Sequence, residues 1–333
     1  MTYSKTKALL EQYRKSRVFP GYSAALLLPD NQVEKLIVGQ AQLSPQVEEL
    51  TDGLYYDLAS LTKVLATTSL VLQLLEDGQL DIDSSISNYF PQAKEPKVTL
   101  RHLITHTSGL EGYIPNRASL SANQLVEALL QLSCGPTFNK EVKYTDTGFV
   151  LLGKVLEKIT QKSVADLFQE NIAKPLGLRH MSYGPLPAHV CVPTEIIVPN
   201  KTIRGTVHDP KASVLGRHCG SAGLFASLDD VITYTQALLN GGENILQRPT
   251  VDSLLHDWTP NQKVGRSLGW DIQDFQGARW LKHTGFTGTL VMWNLETQKA
   301  FILLTNRIHT LKDTAQYNQL RDQLILTFLQ ETM

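Results

Sequence analysis

The sequence Leu58-Ala59-Ser60-Leu61-Thr62-Lys63 stands at the start of the most apolar helix-like stretch of the chain. Mostly aliphatic residues follow it as far as Gly78, which predicts the end of a helix. A helix that is apolar on nearly every face is typical of a buried helix. Its first turn nevertheless carries Ser60 and Lys63, which lie three residues apart and therefore on one helical face. A serine beside a buried lysine is one way to make an activated nucleophile, and this is our starting hypothesis.

The composition sets limits on the class of protein. The chain has 333 residues, of which 42% are hydrophobic, enough for one large domain or two smaller ones. Its net charge is -1, from 31 basic and 32 acidic residues. This balance argues against a general affinity for nucleic acid or anionic membranes, so we expect neither as a partner.

The cysteines predict the redox state of the protein, and the first twenty residues predict its location in the cell. Cys134, Cys191 and Cys219 do not have metal-binding spacing, so we expect reduced thiols, no metal and no cofactor. The N-terminal stretch is polar, and its first apolar run is too short for a signal sequence. No stretch approaches the length of a membrane span, so a cytoplasmic location is expected.

The order of the predicted elements indicates an α+β fold. A helix is predicted over residues 6–17, a β-hairpin over 22–28 and 33–38, a short strand over 54–58 and a final helix over 311–329. Four further strands are predicted near the C-terminus, over residues 267–272, 278–283, 289–294 and 299–305. Between the two ends, helix patterns and loops dominate.

The simplest architecture is one antiparallel sheet, built from both ends of the chain and flanked by the N- and C-terminal helices, with a mainly helical lobe inserted. We therefore expect residues 1–79 and 201–333 to form an α/β lobe, and residues 80–200 a helical insertion. Ligand sites favour the seam between two lobes. Ser60 lies just before the insertion, which predicts an active site at that seam.

The Ser-x-x-Lys pattern has a second copy in the chain, Ser4-Lys5-Thr6-Lys7, so the pattern alone is weak. The structural alternative for Ser60 is a helix N-cap, and for Lys63 a solvated lysine. The buried helix behind Ser60 is what distinguishes it from Ser4.

Tyr144-Thr145-Asp146 forms a second motif. A tyrosine hydroxyl near the serine can act as a general base when a neighbouring lysine stabilises its ionised form. The structural alternative is an ordinary tyrosine followed by Asp146 as a helix N-cap, and Tyr55-Tyr56-Asp57 also has the bare spacing.

His283-Thr284-Gly285-Phe286 forms a third motif, at the end of a predicted strand. If this were an edge strand, it could offer a backbone N–H to a developing oxyanion, together with the N–H of Ser60. The structural alternative is a plain strand and turn with a solvent-facing histidine.

The order of the three motifs resembles that of the serine β-lactamase and penicillin-binding-protein superfamily. Within it, the chain is most similar to the class C β-lactamase branch, which also holds carboxylesterases, D-aminopeptidases and DD-peptidases. The resemblance extends over residues 20–306, and the sequence segments at 100–110, 175–178 and 220–227 also support it.

The resemblance implies a metal-independent hydrolase with three catalytic side chains. Ser60 would be the acylated nucleophile, Tyr144 the general base, and Lys63 the charge that keeps this base deprotonated and helps to move its proton. The backbone N–H groups of Ser60 and Phe286 would form the oxyanion hole.

The resemblance also implies substrate contacts from Asp146 and from the strand residues His283, Thr284 and Gly285. Two of these depart from the class C pattern, which usually has asparagine at the position of Asp146 and lysine at that of His283. A carboxylate near Lys63 favours the charged ammonium, and a histidine is mostly neutral at pH 7. Both changes weaken the case for an efficient β-lactamase.

We therefore predict a serine hydrolase of small esters or amides, with at most weak β-lactam hydrolysis. One alternative is a DD-peptidase or D-aminopeptidase acting on cell-wall peptides, and a carboxylate-binding arginine beside His283 would favour a peptide or β-lactam substrate. Another is a non-catalytic relative that binds acylated ligands.

Overall fold

A seven-stranded antiparallel sheet joins the two ends of the chain in the computed structural model, which describes residues 3–198, 201–262 and 265–332. In spatial order its strands are β11 (Asp271–Phe275), β12 (Ala278–Thr284), β13 (Leu290–Asn294), β14 (Lys299–Thr305), β1 (Gly21–Leu27), β2 (Val33–Gln42) and β3 (Glu48–Glu49). The N-terminal hairpin therefore pairs directly with the last strand, as Tyr22 opposite Thr305 shows. This confirms the predicted sheet.

Ten α-helices lie within the described residues, and none of them has both the length and the apolarity needed to cross a membrane. They are α1 (Ser4–Lys15), α2 (Ser69–Glu76), α3 (Leu100–Ile104), α4 (Ala122–Leu130), α5 (Asp146–Thr160), α6 (Val164–Phe168), α7 (Pro210–Leu215), α8 (Leu228–Leu239), α9 (Arg248–Ser253) and α10 (Thr314–Glu331). Together with the sheet they give an α+β fold, as predicted.

The first and last helices cover one face of the sheet. Leu10 of α1 and Phe328 of α10 are fully buried there, and the Phe328 ring stacks on Phe301 of β14 with 5.0 Å between ring centroids. The opposite face packs on the main core, which includes α8 and the stretch around Leu65. The flanking role of the terminal helices is confirmed.

The apolar stretch after Ser60 is buried, as its composition predicted, but it is not one regular helix. It begins with a 3₁₀ turn (Ala59–Leu61), continues as a π-helical segment (Lys63–Thr68) whose residues are all buried, and only then becomes α2. π-Helical turns are rare and often occur at functional sites.

The segment between the two halves of the sheet holds α3 to α6 and several two- or three-residue strands. β4 (Tyr56–Asp57), β10 (Leu224–Ala226) and β7 (Met181–Tyr183) form a three-stranded sheet, while β5 (Leu110–Glu111) pairs with β6 (Ser133–Cys134) and β8 (Ile196–Val198) with β9 (Lys201–Thr202). The division into lobes at residues 79 and 200 stays a prediction, and residues 199 and 200 lie outside the described residues.

The strand predicted over residues 267–272 is wrong in its bounds, because β11 begins only at Asp271. Gly269 has a φ of +75°, which no extended strand adopts, and its N–H donates to Ile104 O at 3.1 Å instead of to a strand. A Cβ at this position would meet the Thr68 side chain at 2.1 Å. The glycine thus serves close packing against the buried helix.

Candidate active site

Lys63 is fully buried beside Ser60. Its Nζ donates hydrogen bonds to Ser60 Oγ at 2.8 Å, to Asp146 Oδ1 at 2.8 Å and to Ser221 O at 2.9 Å, which uses all three ammonium hydrogens. The alternative of a solvated lysine is therefore wrong, since its side chain is 0% exposed. The Ser60 side chain accepts from Lys63 and caps no helix. Its own hydroxyl hydrogen is left free to point elsewhere.

Lys63 and Asp146 each stabilise the charged form of the other. Burial by itself lowers the pKa of Lys63, but the charges of Asp146 and Tyr144 outweigh burial and raise that pKa above its ordinary value. Burial raises the pKa of Asp146, but Lys63 and Lys211 outweigh this and hold it well below the usual range. Lys63 is therefore an ammonium at neutral pH. An ammonium has no lone pair, so it cannot accept the Ser60 proton.

The backbone just before Ser60 is strained and is held by Asp57. Ala59 has a φ of +46°, which is unfavourable for a residue with a side chain. Its N–H donates to Asp57 Oδ1 at 2.8 Å, and the N–H of His208 donates to Asp57 Oδ2 at 2.8 Å. One buried carboxylate thus links the turn at Ser60 to the segment that leads into α7. Such strain persists only where the surroundings fix it.

Asp57 makes the stability of the protein depend on pH. Burial raises the pKa of Asp57 to about 6, although the N–H groups of His208 and Ala59 oppose this. Because the folded-state value lies above the ordinary value of about 3.9, the stability that Asp57 contributes is complete below pH 4 and is lost as the pH rises through 6.

We expect the free energy of unfolding of the wild type, relative to that of Asp57→Asn, to fall by about 2 kcal/mol between pH 4 and pH 7. Urea unfolding of both proteins at several pH values measures this difference. Taking the difference removes the contribution of every group that the two proteins share. A difference that is flat across this range would contradict the prediction.

Tyr144 lies at the N-terminus of α5, close to Lys63. Its ring centroid is 5.3 Å from Lys63 Nζ and 4.5 Å from that of the His106 ring. The side chain is 48% exposed, and its hydroxyl is close enough to Lys63 to raise the pKa of that lysine. The N-cap of α5 is Thr145, whose side chain accepts from the N–H of Thr147, so the alternative of Asp146 as the cap is wrong.

His283 lies near the end of β12, which is not an edge strand as expected, because β11 and β13 flank it. Pairing with β11 ends at Lys282, however, so the last residues of β12 extend beyond that neighbour. His283 is 4% exposed, which makes the solvent-facing alternative wrong. Its Nδ1 donates to Thr284 O at 3.0 Å, and burial, followed by the charges of Arg266 and Lys63, lowers its pKa well below the ordinary value.

The loop after β12 is tied to the residues before Ser60. Thr287 Oγ1 donates to Asp57 O at 2.8 Å, and Thr289 Oγ1 donates to Leu58 O at 3.1 Å. The N–H of Phe286 makes no hydrogen bond within residues 3–198, 201–262 and 265–332, whereas its carbonyl accepts from Arg307 Nε at 3.0 Å. Phe286 and Ser60 line the same cleft.

Two clefts meet at Tyr144. One, of about 290 Å³, is lined by Ser60, Tyr144 and the end of β12, together with Arg307, Tyr317, Asn318 and Arg321 from the C-terminal part of the chain. The other, of about 310 Å³, is lined by Tyr144, Asp146 and Lys211 with apolar residues of α4. Thr284 and Gly285 line the first cleft and Asp146 the second.

Several residues at this site could not be predicted from the sequence. Lys211, Arg307 and Arg321 belong to no motif, and only their position in space connects them with Ser60, while Asp57 is close to Ser60 in the chain and its role depends on its contact with His208. Arg266 is another such residue. Its guanidinium carbon lies 6.0 Å from the Tyr144 ring centroid, and its charge acts on His283. An arginine is therefore present near His283, but it is buried, its Nη2 donates to Gly269 O and its Nη1 pairs with Asp271, so it is not placed to bind a substrate carboxylate.

The fold and this site define the class of protein, which is that of the serine hydrolases with an antiparallel sheet and a Ser-x-x-Lys pair. A family model described as Beta-lactamase matches residues 6–325. The chain belongs to the Beta-lactamase family.

Three comparisons describe the relatives. The N-acetylmuramyl-L-alanine amidase of Bacillus subtilis (strain 168) is 28% identical, covering 77% of this chain and 68% of its own. A structure described as a Beta-Lactamase/D-Alanine Carboxypeptidase from Pseudomonas syringae is 16% identical, with a TM-score of 0.78 over 98% of this chain and 97% of its own. EstCE1, described as a hydrolase with promiscuous acyltransferase activity, is 19% identical, with a TM-score of 0.76 over 96% of this chain and 97% of its own. The two structures share the fold of this chain.

Proposed function

We propose that the protein hydrolyses small esters or amides through an acyl-enzyme on Ser60. The observation that carries this proposal is the fully buried Lys63, whose Nζ lies 2.8 Å from Ser60 Oγ and 2.8 Å from Asp146 Oδ1. A buried ammonium costs free energy unless it is paired, and a structural lysine has no need of a serine partner at the mouth of a cleft. The placement is explained if the serine reacts.

Acylation begins with Tyr144 as the base. Its ionised hydroxyl takes the proton of Ser60, while Ser60 Oγ forms a bond to the carbonyl carbon of the substrate. The carbonyl oxygen becomes an oxyanion, which the N–H groups of Ser60 and Phe286 stabilise. When the intermediate collapses, the bond to the leaving alcohol or amine breaks, and the proton on Tyr144 passes to that leaving group. Lys63 stays charged throughout.

Deacylation repeats these steps with water. Tyr144 takes a proton from water while the water oxygen forms a bond to the acyl carbonyl carbon. The bond from that carbon to Ser60 Oγ then breaks, and the proton on Tyr144 returns to Ser60 Oγ. The carboxylic acid then leaves. The exposed Tyr144 side chain reaches both clefts, so water can approach from the side that the leaving group has vacated.

The charges near the strand support esters and amides over β-lactams. His283 is neutral, because burial and then the neighbouring cations Arg266 and Lys63 lower its pKa. It therefore offers no fixed charge to a β-lactam carboxylate.

A second candidate is hydrolysis of a peptide that ends in a free carboxylate, as in a D-alanyl-D-alanine peptide. Arg321 favours it, because its guanidinium lines the cleft that holds Ser60. Its present partner is Asp322, whose side chain is largely exposed, and such surface pairs contribute little free energy. A substrate carboxylate could therefore displace Asp322. The carboxypeptidase named for the Pseudomonas syringae structure is consistent with this candidate.

The test is covalent labelling followed by a substrate panel. A fluorescent fluorophosphonate is expected to label the wild type once per chain, and mass spectrometry should place the adduct on the peptide that contains Ser60. Turnover of p-nitrophenyl acetate should then exceed that of nitrocefin. Turnover of D-alanyl-D-alanine peptides alone would make the second candidate correct. An unlabelled protein without turnover would leave a non-catalytic binder and overturn the proposal.

A further inference from the structure

Asp146 is held between two lysines. Its Oδ1 accepts from Lys63 Nζ at 2.8 Å, and its Oδ2 accepts from Lys211 Nζ at 2.8 Å. The Lys211 side chain is 15% exposed, so the pair is far less screened by solvent than a surface ion pair. Each carboxylate oxygen has its own cation.

The second lysine changes the charge next to the base. Lys63 and Asp146 alone carry no net charge, which would leave Arg266, 6.0 Å from the Tyr144 ring centroid, as the other cation that stabilises the ionised hydroxyl of Tyr144. Lys211 brings the three groups to a net charge of +1 beside the Tyr144 ring, which is 5.3 Å from Lys63 Nζ. A neutral amide in place of Asp146, with no second lysine, would give the same net charge.

The position of Lys211 in its helix indicates that it serves the site rather than the helix. It is the second residue of α7, where the helix dipole disfavours a cation. The segment that carries it is fixed from two sides. The N–H of His208 donates to Asp57, and the His208 ring stacks on Phe286 with 5.4 Å between centroids. The buried carboxylate that holds the backbone at Ser60 thus also positions Lys211.

The remaining charged and titratable groups around Tyr144 are His106, His283 and Arg266. Burial first, and then the charges of Arg266 and Lys63, lowers the pKa of both histidines well below the ordinary value. Both are therefore neutral over the working pH range. The charge that one substitution can remove without opening the core is the one on Lys211.

We propose that Lys211 is a positioning residue for the hydrolysis, which neutralises Asp146 and so preserves the net positive charge beside Tyr144. This inference rests on the proposed function. It implies that Asp146 and Lys211 act as a pair, so that removing the charge of Lys211 alone is harmful and removing both charges is tolerated.

The test compares Lys211→Met with the double variant Asp146→Asn/Lys211→Met. In Lys211→Met, kcat/KM for p-nitrophenyl acetate at pH 7 is expected to fall about tenfold, and the acid limb of its pH profile to move up by about one pH unit. The loss should appear in kcat, with KM nearly unchanged. The double variant should return to within about threefold of the wild type, since its net charge is restored.

Lys154→Met is the matched control. The Lys154 side chain is 16% exposed, and its Nζ pairs with Glu157 Oε2 at 2.8 Å. The Lys154→Met variant therefore loses a comparable ion pair that does not involve the residues of the site. It should keep the wild-type pH profile. Thermal unfolding shows whether each variant is folded.

Two outcomes would overturn the inference. One is a Lys211→Met variant with wild-type kinetics, and the other is a double variant no more active than Lys211→Met. Both leave the proposed function intact as long as the wild type is labelled on Ser60. A wild type that neither reacts with the fluorophosphonate nor turns over esters would instead show that the proposed function itself is wrong.

Discussion

Replacing Ser60 by alanine is expected to abolish labelling by the fluorophosphonate and to lower kcat for p-nitrophenyl acetate by at least about 10⁴-fold. The reason is that the variant has no atom to carry the acyl group, whereas the charges of Lys63 and Asp146 remain in place. Intact-protein mass spectrometry, before and after incubation with the probe, measures the first effect. Steady-state kinetics measures the second.

Ser4→Ala is the control for this variant, because Ser4 and Lys7 have the same spacing in the sequence. Lys7 pairs with Glu34 instead of with Ser4, so this copy has no activated serine. Ser4→Ala should retain full labelling and turnover. A Ser60→Ala protein that is still labelled, or that still hydrolyses the ester at the wild-type rate, would place the nucleophile elsewhere.

Replacing Tyr144 by phenylalanine is expected to lower kcat by roughly 10²- to 10⁴-fold, with a much smaller change in KM. The ring stays in contact with His106 and close to Lys63, so only the base is removed. Since the side chain is half exposed and Lys63 keeps three other hydrogen-bond acceptors, the free energy of unfolding should change by no more than about 1 kcal/mol. Kinetics and urea unfolding measure the two effects separately.

Tyr113→Phe provides the comparison for Tyr144→Phe. Tyr113 is a more exposed tyrosine that lines the neighbouring cleft. Its hydroxyl is assigned no part in the reaction, so kcat should be unchanged. If Tyr144→Phe kept the wild-type kcat, the base would have to be another group. The proposed role of Lys211, which is to stabilise the ionised hydroxyl of Tyr144, would then also be wrong.

The outline of the fold could be predicted from the sequence because it depends on patterns that are local. The buried stretch after Ser60, the N-terminal hairpin and the strands β12, β13 and β14 each follow from apolar periodicity and turn residues within one short segment. The bounds of β11 could not be predicted in the same way, because Gly269 serves contact with Thr68, a residue distant in the chain.

For the candidate site, the sequence by itself determined which residue types could do chemistry and the order in which they occur. Ser60 and Lys63 face each other because three residues along a helical turn separate them, which is a local rule. Family resemblance then added Tyr144, Asp146 and the end of β12. None of these needed the tertiary structure to be proposed.

Only the tertiary structure decided the electrical environment of the site. Asp146 departs from the class C pattern, but the sequence could not show that Lys211 Nζ donates a hydrogen bond to Asp146 Oδ2. In the same way, the N–H of His208, which is distant in the chain, donates to Asp57, and Arg266 supplies a charge near the neutral His283. The physical reason is that charge interactions depend on separation in space and on burial, and both are set by packing between segments far apart in the chain.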